Sequence, residues 1–400
     1  MTLPAPLRPL SAGVGNSNDQ ARRHNLSTIL TMLHHGGAQT RAQLTRLSGL
    51  NRSTIGALVT ELVELGLAYE TEPADSGLVG RPSPVVHAAE NVVALTVNPD
   101  VDAITIGLVG LGGVLHKRVR YETASVPSVR ETINVVSAVI DGMRSELASS
   151  YRVVGMGVAV PGLVNQVDGL VLLAPHLDWS NEPLAETVEA ALGYPVSVAN
   201  DAALATVAES LFGAGRGVSD LVYLNGSASG IGGGALVGGT MLRGAQGFAA
   251  ELGHTMVNSS GIRCHCGKYG CLETEVNLGR LLDVLGLGAV GLDELDALVV
   301  GSQAPDVRAE VNRQLDVLAV AIGNFISIFN PESFILGGFL GSLYEADPER
   351  LRAAVKRVTF NVVGNSVRID RAELRSRLLT IGAAELVFGG LLTDPAGTSF

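Results

Sequence analysis

Aromatic side chains are scarce in this chain of 400 residues, at 4%, and charged ones make up only 17%. So few rings leave no stacking surface for single-stranded nucleic acid. Basic residues are outnumbered, and the net charge of -11 excludes nucleic-acid binding over the whole surface. There are three cysteines, Cys264, Cys266 and Cys271, and all lie within eight positions. Thiols clustered in this way suit a metal in a reducing cytoplasm better than disulfides. The first residues carry no apolar run of signal-peptide type, and no stretch approaches the length of a membrane span. A cytoplasmic protein with no membrane partner is therefore expected.

What is present is ample apolar material. Hydrophobic residues reach 46%, enough for a large core, and the length suggests two or three domains. The 49 glycines have no repeating period, which excludes a collagen-like chain. Charge is unevenly placed. Between Arg8 and Leu58 stand Arg8, Arg22, Arg23, Arg41, Arg46 and Arg52 against Asp19 alone, so an acidic body carries a basic N-terminal module.

Residues 1–20, with Pro4, Pro6, Pro9, Gly13 and Gly15, read as a mobile arm. Leu26, Ile29, Leu30 and Leu33 then form a helical stripe ending at Gly36-Gly37. Thr40 is the expected N-cap of a short helix through Ala42, Leu44 and Leu47, closed by Gly49. Asn51 is the expected cap of a third helix from Arg52 to Leu65, with Ile55, Leu58, Val59 and Leu62 inward. Leu67 to Glu70, a polar turn and Gly80-Arg81-Pro82 complete a β-wing. Residues 21–84 thus predict a winged helix-turn-helix. Its candidate DNA contacts are Arg41, Asn51, Arg52, Ser53, Thr54 and Arg81, where Arg52 suits guanine and the hydroxyls suit phosphate or base edges. The plain alternative is a three-helix bundle used for protein contacts.

From about residue 85 short apolar runs alternate with helical stretches. Strands are expected at 92–97, 103–109, 114–119, 153–160, 196–198, 221–224 and 333–336. Helices are expected at 128–147, 183–192, 202–212 and 315–329. This pattern predicts α/β lobes, two of them, each a parallel or mixed sheet covered on both faces. Ligands in such folds sit beyond the carboxyl ends of strands. Pro161-Gly162, Asn200-Asp201, the glycine loop 226–234 and Gly337-Gly338 all fall at such ends, so one cleft is expected to gather them. Cys264, Cys266 and Cys271 with His254 make a complete tetrahedral set for zinc, and His265 competes by type.

Glu251-Leu252-Gly253-His254 and the unbroken Cys264-His265-Cys266-Gly267-Lys268-Tyr269-Gly270-Cys271-Leu272-Glu273 resemble the signatures of the ROK family of repressors and sugar kinases. The resemblance covers roughly residues 85–390, and the winged module before it resembles what the family's regulators carry. It implies an actin-like, ribonuclease H-like and hexokinase-like two-lobed fold over residues 85–400, with a zinc-binding loop at 251–273. It implies a structural zinc on His254, Cys264, Cys266 and Cys271, and a sugar site of Asn200, Asp201, Glu251, His254 and Glu273. Asp201 stands at the position of the family's catalytic base. The family's kinases hold phosphate with an N-terminal Asp-x-Gly-Gly-Thr loop, whereas this chain has Asn98-Pro99-Asp100-Val101-Asp102. Asn98 replaces the aspartate, Asp100 and Val101 replace both glycines, and Pro99 removes a backbone donor. Sugar selectivity is expected in the loops around Pro161-Gly162 and Gly244–Phe248. Together these features imply a non-catalytic, sugar-responsive repressor, a homodimer or tetramer on operator DNA; an ATP-dependent sugar kinase with an added DNA module is the alternative.

Overall fold

In the computed structural model, residues 18–72, 83–288, 290–360 and 366–397 are described. They form two compact units, one of residues 18–89 with the chain from Gly389 onward, the other of Glu90–Phe388.

The first unit contains α1 (Asn18–Gly36), β1 (Gln39–Thr40), α2 (Arg41–Ser48), α3 (Arg52–Glu64), β2 (Ala68–Thr71) and β3 (Val85–Ala88). Leu26, Ile29, Leu30 and Leu33 of α1 meet Leu44 of α2 and Ile55, Leu58, Val59 and Leu62 of α3 in a closed core. The capping signals act as read. Thr40 and Gln43 form a reciprocal capping box, and Gly49 closes α2 in the left-handed region at φ 71°. The strands pair antiparallel in the order β1-β3-β2.

Two expectations need correction here. The chain is already helical at Asn18, inside the expected arm, where Asp19 pairs with Arg22 and Arg23 near the positive end of the helix. The rest of the arm, residues 1–17, lies outside the described residues. Strand β3 belongs to this unit, which moves the boundary from 84 to 89, because Val86 and Ala88 alternate inward against β2. Of the apolar residues in α2, Leu44 is buried but Leu47 is 64% exposed.

The second unit repeats one topology. Its first sheet uses β4 (Val92–Pro99), β5 (Ala103–Gly110), β6 (Val114–Glu122), β7 (Arg152–Val160) and β11 (Val196–Asn200) in the order β11-β7-β4-β5-β6. Between β7 and β11 a small sheet β10-β9-β8 is inserted, from β8 (Leu163–Asn165), β9 (Leu170–Ala174) and β10 (Trp179–Glu182). The second large sheet uses β12 (Leu221–Ser227), β13 (Gly230–Val237), β14 (Thr240–Met241), β15 (Ser333–Gly338) and β16 (Arg368–Arg371) in the order β14-β13-β12-β15-β16. In both large sheets an antiparallel meander of three strands is extended by two parallel strands.

Helices α4 (Val129–Ser150), α5 (Leu184–Leu192) and α6 (Asp201–Phe212) follow strands of the first half. The second half carries α7 (Leu272–Glu275), α8 (Leu278–Leu285), α9 (Leu292–Gly301), α10 (Pro305–Phe329), α11 (Phe339–Ala346) and α12 (Pro348–Val358). Glu209 of α6 is fully buried, and its carboxylate accepts from the backbone N–H groups of Ala214 and Leu374 at 2.9 and 2.8 Å. That pins the start of helix Leu378–Thr393 to α6 without any signal in local sequence.

Two more readings are overturned. Residues Arg375–Thr393 form a helical stretch that is, by length and composition, long and apolar enough to cross a membrane; 56% of it is buried, with Ile381, Ala384 and Phe388 in the core. The glycine loop expected at 226–234 is largely strand. Residues Gly230 to Gly234 run along β13, paired with β12, and the turn itself is short.

Candidate functional site

Register brings the site together. Val160 and Asn200 are neighbours across β7 and β11, so Pro161-Gly162 and Asn200-Asp201 leave the sheet side by side. The β12–β13 turn reaches the same place from the other lobe. Between them lies a cavity of about 480 Å³ that collects Asn200, Asp201, Glu251, His254 and Glu273. Gly337-Gly338 does not line it. Gly338 has φ 58°, and a Cβ there would stand 1.8 Å from the Gly226 carbonyl, so that glycine serves close strand packing.

Asn200 ends β11 and caps α6. Its Oδ1 accepts from the Ala203 N–H at 2.9 Å, and its Nδ2 donates to the Gly162 carbonyl at 3.0 Å. Much of its hydrogen-bonding capacity therefore fixes the two strand ends rather than facing a ligand. Asp201 follows as the first residue of α6, accepting from the Ala202 N–H at 2.7 Å. It lines the cavity and is half-buried. Burial, with repulsion from Asp100, pushes its carboxyl up to about 7 against the pull of the backbone N–H. Burial also raises Glu251, which stands at the start of the short turn Leu252–His254, and His254 opposes that rise.

Glu273 lies at the start of α7 and is 8% exposed. Its Oε1 accepts from the Cys264 thiol at 2.9 Å and stands 3.1 Å from His265 Nδ1 and 3.4 Å from His254 Nδ1. Gly230, at φ 126°, lies against the other oxygen, where a Cβ would come within 2.7 Å of Oε2. The carboxylate is thus held between the cysteine loop and the β12–β13 turn.

The ligand atoms of His254, Cys264, Cys266 and Cys271 all lie within 4.8 Å of one another. Cys264 Sγ is 3.6 Å from His254 Nδ1, and Cys266 Sγ is 3.6 Å from Cys271 Sγ. Zinc bonds of about 2.0–2.3 Å give tetrahedral edges of about 3.3–3.8 Å, so the four residues fit a metal ion. A second grouping, His254, Cys264, His265 and Glu273, is equally compact. Glu273 draws His265 Nδ1 to 3.1 Å, closer than the 3.8 Å between that atom and Cys264 Sγ. Burial and the hydrogen bond to Glu273 both raise the Cys264 thiol above its ordinary value. The loop is closed by Cys264 N–H to Lys268 O at 2.8 Å and Val257 N–H to Gly270 O at 2.8 Å.

The turn Asn98–Asp102 joins β4 to β5. Asn98 donates to the Ala159 carbonyl at 3.0 Å, and Asp100 N–H donates to Ala103 O at 2.8 Å. The Asp100 carboxylate accepts from the Val101 N–H at 2.8 Å, and Asp102 pairs with Arg120 at 2.7 Å. The turn is therefore closed by its own bonds, and its buried carboxylate Asp100 repels Asp201.

Sequence reading missed the wall supplied by the inserted sheet, including Leu173, Pro175 and His176. His176 meets His265 of the cysteine loop edge-on, ring centroids 5.0 Å apart. A signal was available. Asp168-Gly169 between apolar runs is a hairpin signature, and Gly169 takes φ 68°. Phe248 and Gly247 line a small neighbouring pocket rather than the main cavity.

The winged module places its predicted contacts unequally. Asn51 Oδ1 accepts from the Thr54 N–H at 2.8 Å and from the Ser53 hydroxyl at 2.7 Å, so it acts as a helix cap. Arg41 makes a two-pronged ion pair with Glu70 of β2, both contacts 2.6 Å. Arg52 and Ser53 are exposed at the start of α3, and Thr54 is half-buried. Arg81 lies outside the described residues.

A duplicated α/β lobe around a cavity, in a chain that also carries a winged helix-turn-helix, defines an actin-like sugar-kinase fold with a DNA-binding module. The ROK family model matches residues 95–389, and the chain belongs to the ROK family. It is 26% identical to the xylose repressor of Caldicellulosiruptor bescii over 375 residues, covering 89% of this chain and 93% of that protein. It is 30% identical to the glucokinase of Streptomyces coelicolor over 320 residues, covering 74% of this chain and 98% of that enzyme. A solved ROK family transcriptional regulator, a homologue of the Escherichia coli Mlc protein, superposes with a TM-score of 0.76 at 24% identity, over 93% of this chain and 97% of that one.

The raised carboxyl of Asp201 has a measurable consequence. A carboxylate lifted from its ordinary 3.8 to about 7 makes the folded state the better proton binder between those values, so its contribution to stability falls as pH rises through that window. Denaturant unfolding at about pH 5.5 and about pH 7.5 is expected to show a smaller loss of stability with rising pH in Asp201→Asn than in the parent chain. Equal pH dependence in the two proteins would show that Asp201 is ionised throughout.

Proposed function

We propose that this protein is a sugar-responsive transcriptional repressor of carbohydrate-metabolism genes, acting in the cytoplasm as a homodimer or tetramer. The observation that carries the reading is the convergence of Asn200, Asp201, Glu251, His254 and Glu273 on one cavity, in a chain that also holds a winged module. Carboxylates mixed with an amide and an imidazole offer the acceptors and donors that sugar hydroxyls need. The xylose repressor aligns over nearly the whole chain, whereas the glucokinase aligns over 74% of it. Sugar and operator binding are coupled only if the state that holds operator weakly holds sugar more tightly.

His254, Cys264, Cys266 and Cys271 would hold a zinc ion. Three thiolates and an imidazole fill the tetrahedron, so the metal's chemistry here is cross-linking. In this reading the chain's own part is to turn His254 Nδ1 toward the thiols, leaving the opposite ring nitrogen for a sugar hydroxyl. Glu251 and Glu273 accept further hydroxyls. Asp201 retains a base's position, but the Asn98–Asp102 turn lacks the glycines and donors that seat phosphate. We therefore assign sensing rather than phosphorylation.

Each part has its test. With a candidate operator and a sugar panel, fluorescence anisotropy is expected to show one sugar shifting operator affinity; no shift with any sugar would reject the inducer model. Arg52→Ala is expected to weaken operator binding by about 1–3 kcal/mol. Elemental analysis is expected to find zinc equimolar with the chain, and Cys271→Ser to lose it with a fall in melting temperature. With ATP, magnesium and hexoses, ADP release is expected to stay at background; steady turnover would establish the kinase alternative.

A further inference from the structure

We infer that Gln314, with Arg313 beside it, is a positioning residue of the site: from helix α10 it sets where Cys271 and Glu273 stand. The part concerning Glu273 rests on the sugar-responsive reading above, and the part concerning Cys271 on the metal set alone. Gln314 lies in the buried stripe of α10 among Val311, Leu315 and Leu318, and it is itself fully buried. A buried amide is costly unless its donors and acceptor are met. Here they are met chiefly by one residue beyond α7. Gln314 Nε2 donates to the Asn277 carbonyl at 3.0 Å, and Oε1 accepts from the Asn277 N–H at 3.0 Å. Nε2 also donates to Glu310 at 2.8 Å. Arg313 donates to the Glu275 carbonyl at 2.9 Å and is held in place by the Glu310 carboxylate at 2.6 and 2.8 Å. Three side chains from consecutive turns of α10 thus grip the far end of α7.

Helix α7 has little means of fixing its own place. It is four residues long, and forming a single turn is unfavourable without outside contacts. Cys271 is its N-cap residue, and Glu273 lies within it. Glu275 is also buried, beneath the cysteine loop, where a Cβ at Gly261 would come within 2.3 Å of its Oε1. A shift of α7 would therefore move a metal ligand, the cavity carboxylate and the floor of the loop together. Without the Gln314 amide, the Asn277 N–H and carbonyl lose the partner that sets this register.

The full-length chain would be loaded with cobalt(II), whose absorption reports the geometry of a thiolate site. Gln314→Met fills similar space without an amide. It is expected to weaken cobalt affinity about 10–100-fold in chelator competition and to shift the absorption bands. Phe325→Leu, also buried and about three turns along the same helix, is expected to lower the melting temperature and move neither. Arg313→Met, at a half-exposed position, is expected to act as Gln314→Met does and decides the matter should that variant not fold. Unchanged affinity and bands in the folded variants, or equal changes in Phe325→Leu, would overturn the inference, as would a parent chain that takes up no cobalt. Sugar affinity of the metal-saturated Gln314→Met chain is expected to fall; a metal effect with sugar affinity unchanged would remove Glu273 from the inference. A parent chain that binds no sugar but shows the metal effect would reject the sugar-responsive reading and leave the positioning of Cys271 standing.

Discussion

The carboxylate of Glu273 is where the two halves of the site meet. One oxygen is bound by the Cys264 thiol and faces His254 and His265, while the other rests against the backbone at Gly230. A buried carboxylate is tolerated only where donors surround it, and here the donors come from the cysteine loop. Of the loop's thiols, Cys264 and Cys271 are buried and Cys266 is exposed. His254, Cys264, Cys266 and Cys271 would hold a zinc ion beside that carboxylate, where it would tie the loop together.

The duplicated topology explains why that arrangement sits where it does. Each large sheet sends its parallel strands toward the same end, and the residues just beyond β7, β11 and β12 face one another. Asn200 serves the geometry more than the ligand, tying Gly162 of one strand end to the start of α6. Asp201 and Glu251 then stand in a space that burial makes unfavourable for charge. A polyol offers such groups both donors and acceptors without adding charge.

Local signals proved legible where a residue acts on its immediate neighbours. Thr40, Gly49 and Asn51 terminate their helices through bonds spanning three or four residues, so sequence spacing was sufficient. The cysteine spacing with His254 was likewise enough to bring four ligands together. Reading stopped where the partner is distant in sequence. Nothing near Arg41 announces Glu70, and nothing near Glu209 announces Leu374. The glycines of β13 looked like a loop because glycine is permissive, yet they lie in a strand; a Cβ at Gly232 would come within 2.6 Å of Ala202 in α6. Helix Leu378–Thr393 carries too little amphipathic pattern to reveal its faces before the core around it is known.

A shared fold does not carry a shared activity, and the Asn98–Asp102 turn is where the proposed sensing role departs from catalysis. Phosphoryl transfer needs a base, a seated phosphate and neutralisation of its charge, and each requirement has its own residues. Asp201 stands where resemblance to the family puts the first. At the phosphate side, Asn98 is committed to the Ala159 carbonyl and Asp100 to the Val101 N–H. A turn whose donors and acceptors satisfy one another has few left to wrap a nucleotide. The Asp100 carboxylate also repels Asp201 and, by the same sign, any phosphate brought near. The proposed sugar contacts lie on other elements and are untouched by this closure. On the proposed reading the cavity keeps an affinity for hydroxyls while the neighbouring turn closes on itself, and the binding free energy of the sugar becomes available to shift a DNA-binding equilibrium.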